Sequence, residues 1–273
     1  MKLSIITINY NNASGLRRTI ESVVTQTSTD FEYIVIDGGS TDGSVEVIKQ
    51  YADKITYWLS EPDSGIYNAM NKGIRMARGE YCQFLNSGDY LVADDVTEQM
   101  LKDMPECSIL YGNMLKLMPG NWILYNKEIP VNSLLTFYKG ALNHSPAYIK
   151  RSLFEKYGYY DEKLRIVSDW KFYLITICLH NEPVVYKNID VTYFDMNGIS
   201  NTNSSLDKAE RLQVLKETLP AAIFADYEKY AASILQMKRI NRYKCTKWIV
   251  WFIERVLFKI EKWETKRKKE HLF

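Results

Sequence analysis

The chain has 273 residues, of which 46% are hydrophobic and 25% charged, with a formal net charge of +2 at pH 7. This balance is typical of a globular protein and excludes a disordered chain. Four widely spaced cysteines without a C-x-x-C pair argue against a disulfide framework or a zinc site. No apolar run approaches the ~20 residues of a spanning helix, and no signal-peptide cleavage site follows the first residues, so a cytoplasmic protein is expected.

Short apolar runs alternate with helical patterns over the first hundred residues. The runs are rich in β-branched residues and almost continuously apolar, as in strands that are buried on both faces of a sheet. A strand-helix alternation at short intervals predicts βαβ units and therefore an α/β fold with a mostly parallel sheet flanked by helices. Strands are predicted at 3–8, 32–37, 55–61 and 80–85, and the last predicted helix of this half covers 64–79.

The second half of the chain has a mixed pattern. It predicts a hairpin at 108–129, short helices and loops over 134–164, a helix over 168–181 and closing strands within 184–196. Residues 206–235 are predicted to be helical, and the tail is predicted to be one long helix. We therefore expect a catalytic domain at 1–205, with halves at 1–105 and 106–205, and a helical extension at 206–273.

Polar residues follow all four strands predicted in the first half. Ligands of open α/β sheets bind beyond the carboxyl ends of the strands, so these residues are expected to share one edge. Three of the four strand ends carry acids, and the same three carry a glycine that allows close approach to a ligand. No dinucleotide fingerprint, P-loop or H-E-x-x-H motif is present. The strand ends are 9–11, 37–40, 61–65 and 86–89.

Four ordered motifs, at 4–12, 33–44, 61–89 and 168–170, resemble those of family 2 glycosyltransferases of the GT-A fold. The similarity covers roughly residues 1–200 and is greatest to enzymes of bacterial surface-polysaccharide synthesis. It implies an inverting transfer of a sugar from a UDP-, GDP- or dTDP-linked donor. The acceptor would be a hydroxyl of a glycan or of a lipid-linked molecule, and Mg²⁺ or Mn²⁺ would take part.

The resemblance also implies roles for residues of the donor site. Asp37 is placed where a carboxylate contacts the nucleotide base, and a turn cap is the alternative for this residue. Lys72 is placed where it could neutralise phosphate, although a solvated lysine on a helix surface is equally compatible with the pattern. The donor-binding residues implied in this way are Asn9, Tyr10, Asp37, Asp63, Lys72 and Asn86.

The metal motif of the family is incomplete in this chain. Where the family has D-x-D, the chain reads Asn86-Ser87-Gly88-Asp89, so that only the last acid remains. The resemblance implies that Asp89 holds the metal ion against the donor diphosphate. One or two carboxylates with phosphates and waters suffice for Mg²⁺, so a single acid is compatible with a metal. An ordinary turn is the alternative, since all four residue types favour turns.

The transfer also needs a base, because a sugar hydroxyl is a poor nucleophile. Asp169 lies where the family keeps that base, and an acid that interacts favourably with a helix N-terminus is the alternative. Asp161 and Glu162 are further candidates, in a segment where acids are often helix caps. His144 falls near the expected acceptor side, where an acceptor or metal role competes with a structural one.

The C-terminal segment is basic and amphipathic. From residue 238 to the end, twelve Lys and Arg stand against four Glu, a net charge of +8, while the remainder carries −6. Apolar residues from Ile249 onward follow helical spacing. Aromatic residues opposite Lys and Arg are typical of a helix at a membrane interface, so 238–273 is predicted to bind the cytoplasmic face of a membrane. Packing on the catalytic domain or on a second subunit is the alternative, and no nucleic-acid partner is expected.

Three other protein classes compete with a glycosyltransferase. A sugar-phosphate nucleotidyltransferase would carry a Gly-rich loop with Arg and Lys after the first strand, and residues 9–15 do not. An oxidoreductase would carry the dinucleotide fingerprint that this chain lacks. A non-catalytic nucleotide-sugar binding protein remains an alternative, because the first metal acid is missing.

Overall fold

The computed structural model of the protein describes residues 1–118, 121–125, 133–140, 142–196, 203–240 and 244–270. The chain divides into two compact units, Met1–Val214 and Leu215–Phe273. The domain limits inferred from the sequence stay predictions. No helix in the described ranges is both long enough and apolar enough to cross a membrane.

The described elements follow the chain in this order. The strands are β1 Leu3–Asn9, β2 Phe31–Asp37, β3 Tyr57–Ser60, β4 Tyr81–Phe84, β5 Tyr90–Leu91, β6 Ile109–Met118, β7 Asn121–Tyr125, β8 Ala147–Lys150 and β9 Val184–Phe194. The helices are α1 Ala13–Val24, α2 Ser44–Gln50, α3 Ile66–Met76, α4 Val96–Leu101, α5 Leu134–Lys139, α6 Ser152–Tyr157, α7 Ser168–Tyr173, α8 Ser204–Thr218, α9 Ala221–Ile240 and α10 Lys244–Glu270. A π-helical turn, Leu174–Leu179, continues α7.

The sheet is mixed, with the strand order β3-β2-β1-β4-β8-β6-β9-β5 and with β7 paired to β6. The strands β1 to β4 are parallel to their neighbours within this group. The strand β8 is antiparallel to both β4 and β6, while β9 runs parallel to β6. The predicted α/β fold with a mixed sheet flanked by helices is confirmed.

The central strand β1 is buried along its whole length, as its apolar run predicts. The helix α1 turns Leu16, Ile20 and Val23 into the core. On α3, Gly73 lies so close to the sheet that a Cβ there would be 2.4 Å from Ile6 Cγ2. The helices therefore pack closely on the parallel strands and hold in place the sheet edge where the carboxyl ends of these strands lie.

The carboxyl ends of the first strands meet at one edge, as predicted. Asn9 pairs with Asp37 across β1 and β2, and Asp37 pairs with Ser60 across β2 and β3. The amide of Ser87 donates to the carbonyl of Ile8, which brings the turn after β4 to the same edge. Parallel pairing is thus sufficient to bring together polar residues that lie far apart in sequence.

Three details differ from the sequence-based expectations. The closing segment is the single strand β9, which stays paired with β6 through register shifts near Asn113. The predicted helix over 168–181 is α-helical only to Tyr173 and then widens to a π-helix. The helical stretch over 206–235 is interrupted between α8 and α9, where Pro220 lacks an N–H and disfavours helical backbone in the preceding residue. The hairpin of β6 and β7 is as predicted.

Replacing Gly79 by alanine is expected to destabilise the domain. A Cβ at Gly79 would lie 2.6 Å from both the carbonyl carbon of Leu3 and the amide nitrogen of Ser4, and backbone of β1 cannot move aside cheaply. Overpacking of this kind costs roughly 1–3 kcal/mol. At about 2–4 °C per kcal/mol, calorimetry should find a clearly lower melting temperature.

The matched control for this substitution is Gly140→Ala. Among the described residues, a Cβ at Gly140 would meet no atom within 4 Å, and the φ of −169° is extended backbone that any residue adopts. Gly140→Ala should therefore melt close to the parent protein. Equal melting temperatures for the two variants would contradict the tight packing of Gly79 against β1.

Candidate active site

Two cavities adjoin at the carboxyl edge of the sheet in unit 1. The larger cavity has a volume of about 840 Å³, and the smaller cavity has one of about 260 Å³. Both are lined by Asn12, Ile66, Asn86, Ser87 and Arg165, which form their common wall. The larger cavity is lined further by Ile8, Asn9, Tyr10, Gly38, Gly39, Pro62, Asp63, Gly65 and Ala69. The smaller is lined further by Tyr67, Met70, Asp89, Leu142, Asn143, His144, Ile166, Asp169, Trp170, Phe194, Asp195, Asp207 and Arg211.

The turn at 86–89 is fixed by helix α1. The Thr19 hydroxyl accepts from the amide of Gly88 at 2.9 Å and donates to the carbonyl of Asp89 at 2.6 Å. Arg18 donates to the carbonyl of Gly88 at 2.8 Å, and Asn12 donates to the turn from the start of the helix. The turn therefore has a defined shape that does not depend on a bound ligand.

Asp89 is an incompletely satisfied carboxylate in the wall of the smaller cavity. Its side chain is buried, and Oδ1 accepts from the amide of Asp195 at 2.8 Å. Oδ2 has no hydrogen-bond partner among the described residues. Burial raises the pKa of Asp89 to about 7 against the lowering effect of the Asp195 amide. Gly88 has a φ of 108°, and a Cβ there would lie 2.5 Å from Asp195 Oδ2, so the turn needs glycine at this position.

Asp89 meets the requirements of a hard divalent cation in part. An unpaired carboxylate oxygen in a polar cavity is the ligand type that Mg²⁺ and Mn²⁺ prefer. Within the described ranges, no three His, Cys, Asp or Glu side chains converge to hold a metal by themselves. The residues present therefore fit an ion that takes its remaining ligands from substrate phosphate and water.

A partly buried chain of hydrogen bonds links Asn86, His144 and Asp169. The His144 ring lies between the other two, with Nε2 at 3.1 Å from Asn86 Nδ2 and Nδ1 at 3.1 Å from Asp169 Oδ2. The Tyr67 hydroxyl lies 2.9 Å from Asp169 Oδ1 and also within 2.5 Å of the Ile166 carbonyl. A neutral His144 that carries its proton on Nδ1 donates to Asp169 and accepts from Asn86, so both ring nitrogens have partners.

His144 and Asp169, the two ionisable groups in this chain of hydrogen bonds, stabilise each other's charged forms. Burial opposes the charge on Asp169, but the hydrogen bond and charge of His144, together with the Tyr67 hydroxyl, outweigh it and lower the pKa of Asp169. Burial likewise opposes the charge on His144, but Asp169 and Asp89 outweigh it and raise the pKa of His144. Asp169 is therefore ionised at neutral pH and is oriented by two neighbours.

Asp37 is buried and lines neither cavity. Its Oδ1 accepts from Asn9 Nδ2 at 2.7 Å and from the Ser40 hydroxyl at 2.6 Å. Its Oδ2 accepts from the Ser40 amide at 2.9 Å and from the Ser60 hydroxyl at 2.6 Å. Burial acts to raise the pKa of Asp37, but these hydrogen bonds outweigh it and lower that pKa. Asp37 thus shapes the loop beside the larger cavity, and its contact with a nucleotide base stays a prediction.

Comparison with known proteins gives the family of the chain. Residues 4–154 match the model of the glycosyl transferase family 2. An uncharacterized glycosyltransferase of Mycobacterium tuberculosis is 34% identical over 206 residues, 73% of this chain and 77% of that protein. A PGL/p-HBAD biosynthesis glycosyltransferase of Mycobacterium bovis is 28% identical over 77% of this chain and 83% of its own length. The chain belongs to glycosyl transferase family 2.

Solved structures share the fold of this glycosyltransferase. TarS 1–349 of S. aureus in complex with UDP-GlcNAc has a TM-score of 0.66 at 19% identity, with 83% of this chain and 71% of that chain covered. The chain spans only 42% of a longer TarS chain. The mannosyltransferase PcManGT of Pyrobaculum calidifontis, in complex with GDP-Man and Mn²⁺, has a TM-score of 0.61 at 15% identity over 97% of this chain and 83% of that chain. The predicted GT-A-like fold is confirmed.

Of the donor residues expected from the sequence, Asp63 and Tyr10 line the larger cavity of the glycosyltransferase together with Asn9. Asp63 Oδ1 accepts from the amide of Gly65 at 2.8 Å. A Cβ at Gly38 would lie 2.5 Å from Asp63 Oδ2, so glycine at 38 is what lets this carboxylate approach the loop. Tyr10 is 67% exposed and has room to pack on a planar ligand.

Lys72 and Asp161 lie outside both cavities and have partners of their own. Lys72 Nζ lies 2.7 Å from Glu61 Oε1 and donates to the carbonyl of Pro62 at 3.2 Å. Asp161 Oδ2 accepts from Lys171 Nζ at 2.7 Å. Burial acts to raise the pKa of Asp161, but Lys171 outweighs it and lowers that pKa. Their predicted donor and acceptor roles remain untested, and both side chains are engaged in ion pairs.

Helix α8 contributes residues that the sequence did not point to. The buried Glu210 carboxylate accepts from the amides of Arg165 at 2.7 Å and Ile166 at 2.9 Å, in the loop before Asp169. Arg211 stacks over the Trp170 ring at 4.8 Å. No motif marks these positions, because a glutamate and an arginine on a helix look like ordinary surface residues until the fold brings α8 to this loop.

Replacing Asp89 by asparagine is expected to stabilise the metal-free protein. The pKa of Asp89 is raised from 3.8 to about 7, so the ionised side chain opposes folding increasingly as the pH rises through this range and fully above it. The variant should therefore melt higher than the parent protein near pH 8, and the gain should shrink near pH 5. Thermal melts with EDTA at both pH values measure the effect, at roughly 2–4 °C per kcal/mol.

The control for this melt is Asp53→Asn, which removes an exposed carboxylate with the same change in charge. It should leave the melting temperature nearly unchanged at both pH values. A lower melting temperature for Asp89→Asn near pH 8 would contradict the view that Asp89 is held in the protein at a cost to stability.

Proposed function

We propose that this glycosyltransferase inverts the anomeric centre as it moves a sugar from a nucleotide diphospho-sugar to a hydroxyl group. The observation that carries the proposal is the position of Asp169, an ionised and oriented carboxylate in the smaller cavity. The smaller cavity shares a wall with the larger one, so an acceptor and a donor can meet there. The bond from the sugar to the diphosphate breaks as the acceptor oxygen attacks.

The larger cavity is proposed to bind the nucleoside of the donor. Tyr10 and Asn9 line it beside the Gly38-Gly39 turn, where backbone without side chains allows close approach of a ligand. The complexes of TarS with UDP-GlcNAc and of PcManGT with GDP-Man support a nucleotide-sugar donor. UDP-, GDP- and dTDP-linked sugars are the candidates.

Asp169 is proposed to act as the base. Its carboxylate has two fixed partners, one on each oxygen, and each oxygen keeps a further lone pair for the acceptor hydroxyl. His144 is proposed to position Asp169 rather than to contact the acceptor itself, because its two ring nitrogens are engaged. The proton leaves the acceptor oxygen for Asp169 as the new glycosidic bond forms.

A divalent cation is proposed as cofactor, held by Asp89. Mg²⁺ or Mn²⁺ at this position would withdraw charge from the leaving diphosphate. The unpartnered Oδ2 of Asp89 supports this role, and the Mn²⁺ in the PcManGT complex is in keeping with it.

Replacing Asp169 by asparagine should abolish transfer while donor binding persists. Loss of a general base typically costs 10²–10⁴-fold in rate. Release of nucleoside diphosphate from a panel of UDP-, GDP- and dTDP-sugars, with Mn²⁺ or EDTA, reports turnover. Thermal stabilisation by the same donors reports binding, since a ligand at ~100 times its Kd adds ~2.7 kcal/mol.

Asp161→Asn is the matched control, because Asp161 is another candidate base of the same region. Its carboxylate is tied to Lys171 outside the cavities, so this variant should keep most of its activity. Full activity in Asp169→Asn, or loss confined to Asp161→Asn, would overturn the assignment of the base.

We further propose that α10 binds the surface of an anionic membrane, where a lipid-linked acceptor would be found. Its large apolar side chains are between 41% and 66% exposed. Nine Lys and Arg and four Glu give the helix a net charge of +5, which complements anionic headgroups. A role in surface-polysaccharide synthesis would follow from such an acceptor. The exposed apolar residues are Trp248, Ile249, Trp251, Phe252, Ile253, Val256, Leu257, Phe258, Ile260 and Trp263.

Replacing Ile253 and Ile260 together by glutamine should weaken membrane binding without changing the charge. Each isoleucine contributes roughly 1.5–3 kcal/mol when fully buried, so the double variant should partition at least about tenfold less into vesicles. Flotation with vesicles of phosphatidylglycerol and phosphatidylcholine measures the partition, and added salt should weaken it.

Ile223→Gln is the control, because Ile223 lies on α9 and is 49% exposed, as Ile253 is. This substitution removes a similar apolar side chain from a helix other than α10. It should float like the parent protein. Parent protein that stays with the soluble fraction at low salt would contradict membrane binding. A dimer of the parent protein that is absent in the double variant would instead indicate that α10 binds a second copy of the protein.

A further inference from the structure

One arginine lies where the two cavities meet. Arg165 lines both of them and is exposed, in a common wall whose other members are uncharged. Its backbone amide donates to Glu210, but within the described ranges its guanidinium has no hydrogen bond or ion pair. A cation without a partner at the junction of two polar cavities can bind an anion that spans them.

The other cations near the cavities are already engaged. Arg211 pairs with Asp207 at 2.9 Å, and His144 is hydrogen-bonded to Asp169. Lys72, which the sequence suggested for phosphate, pairs with Glu61 at 2.7 Å and lines neither cavity. Arg165 is therefore the cation of the described cavity walls that can take a new anionic partner without breaking an existing pair.

The backbone that carries Arg165 is held in place. The Glu210 carboxylate accepts from the amides of residues 165, 166 and 167, and the Tyr67 hydroxyl reaches the carbonyl of Ile166. Binding through Arg165 then needs only its side chain to be ordered, which keeps the entropic cost of recognition low. The loop is built to present this side chain even though the side chain itself is not packed.

We propose that Arg165 binds the diphosphate of the nucleotide-sugar donor and stabilises the charge on the leaving nucleoside diphosphate. The inference rests on the proposed function. As the acceptor oxygen bonds to the sugar, the sugar–oxygen bond to the diphosphate breaks and its electron pair stays on that phosphate oxygen. The acceptor proton passes to Asp169, four residues from Arg165. A planar guanidinium suits a diphosphate because it can donate two parallel hydrogen bonds to phosphate oxygens.

Calorimetric titration of the full chain with UDP, GDP and dTDP tests this role. Each nucleotide is compared with its nucleoside, in EDTA and in Mn²⁺. Arg165→Gln should bind the preferred diphosphate roughly 10- to 100-fold more weakly, as expected for loss of charge-assisted hydrogen bonds, and should bind the nucleoside unchanged. Arg165→Lys should be intermediate. The loss should persist in EDTA, because the contact does not pass through a metal.

Lys163→Gln is the matched control. Lys163 lies in the same loop, carries the same charge and lines neither cavity, so its loss should leave both titrations unchanged. Equal diphosphate affinity in Arg165→Gln and parent protein would overturn the inference and leave the proposed function standing. Parent protein that binds none of the three nucleotides would overturn the donor assignment itself. A loss that appears equally with the nucleoside would point to a changed cavity shape and also overturn the inference.

Discussion

The hydrogen-bond chain from Asn86 through His144 to Asp169 joins three parts of the catalytic unit that are distant in sequence. Asn86 follows β4, His144 precedes β8 and Asp169 lies in the first turn of α7. Because all three side chains are largely shielded from water, separating any pair would leave a polar group without a partner, at roughly 1–3 kcal/mol. The chain therefore fixes the position of the turn after β4 relative to the carboxylate on α7. Asn86, at one end of this chain of hydrogen bonds, belongs to the common wall of the two cavities, while His144 and Asp169 line the smaller one.

Two buried aspartates, Asp37 and Asp89, have opposite pKa shifts because they receive different numbers of hydrogen bonds. Asp37 receives four hydrogen bonds, which outweigh its burial and lower its pKa. Asp89 receives one from Asp195, and burial raises its pKa to about 7. The first carboxylate is satisfied by its own loop and organises it. The second retains unmet capacity for a cation or a proton, which is the property expected of a residue that acts on a ligand.

The local features of the fold could be predicted from the sequence, because apolar runs and strand-end acids follow simple rules. Parallel pairing then placed Asn9, Asp63 and Asp89 at one edge, as expected. The positions of Arg165 and Glu210 at the site could not be predicted in this way. They depend on the contact between α8 and a loop that lies more than forty residues earlier in the chain, and no local sequence pattern predicts that contact. Lys72, which its motif position placed near phosphate, forms an ion pair with Glu61 outside both cavities, and its contact with phosphate stays a prediction.

In the proposed mechanism, one short segment sets the geometry of the displacement. An inverting reaction needs the base on one side of the sugar and the departing charge on the other, and Asp169 and Arg165 are assigned to these two tasks. The Glu210 carboxylate accepts hydrogen bonds from three backbone amides of this segment. The proposed base, Asp169, and the proposed cation, Arg165, are therefore carried by one fixed piece of backbone. The spacing of the two backbone positions is then a property of the fold, and only the Arg165 side chain has to be ordered by the substrate. Enzymes gain rate from such preorganisation, because charged groups already in place need no rearrangement when the bond breaks.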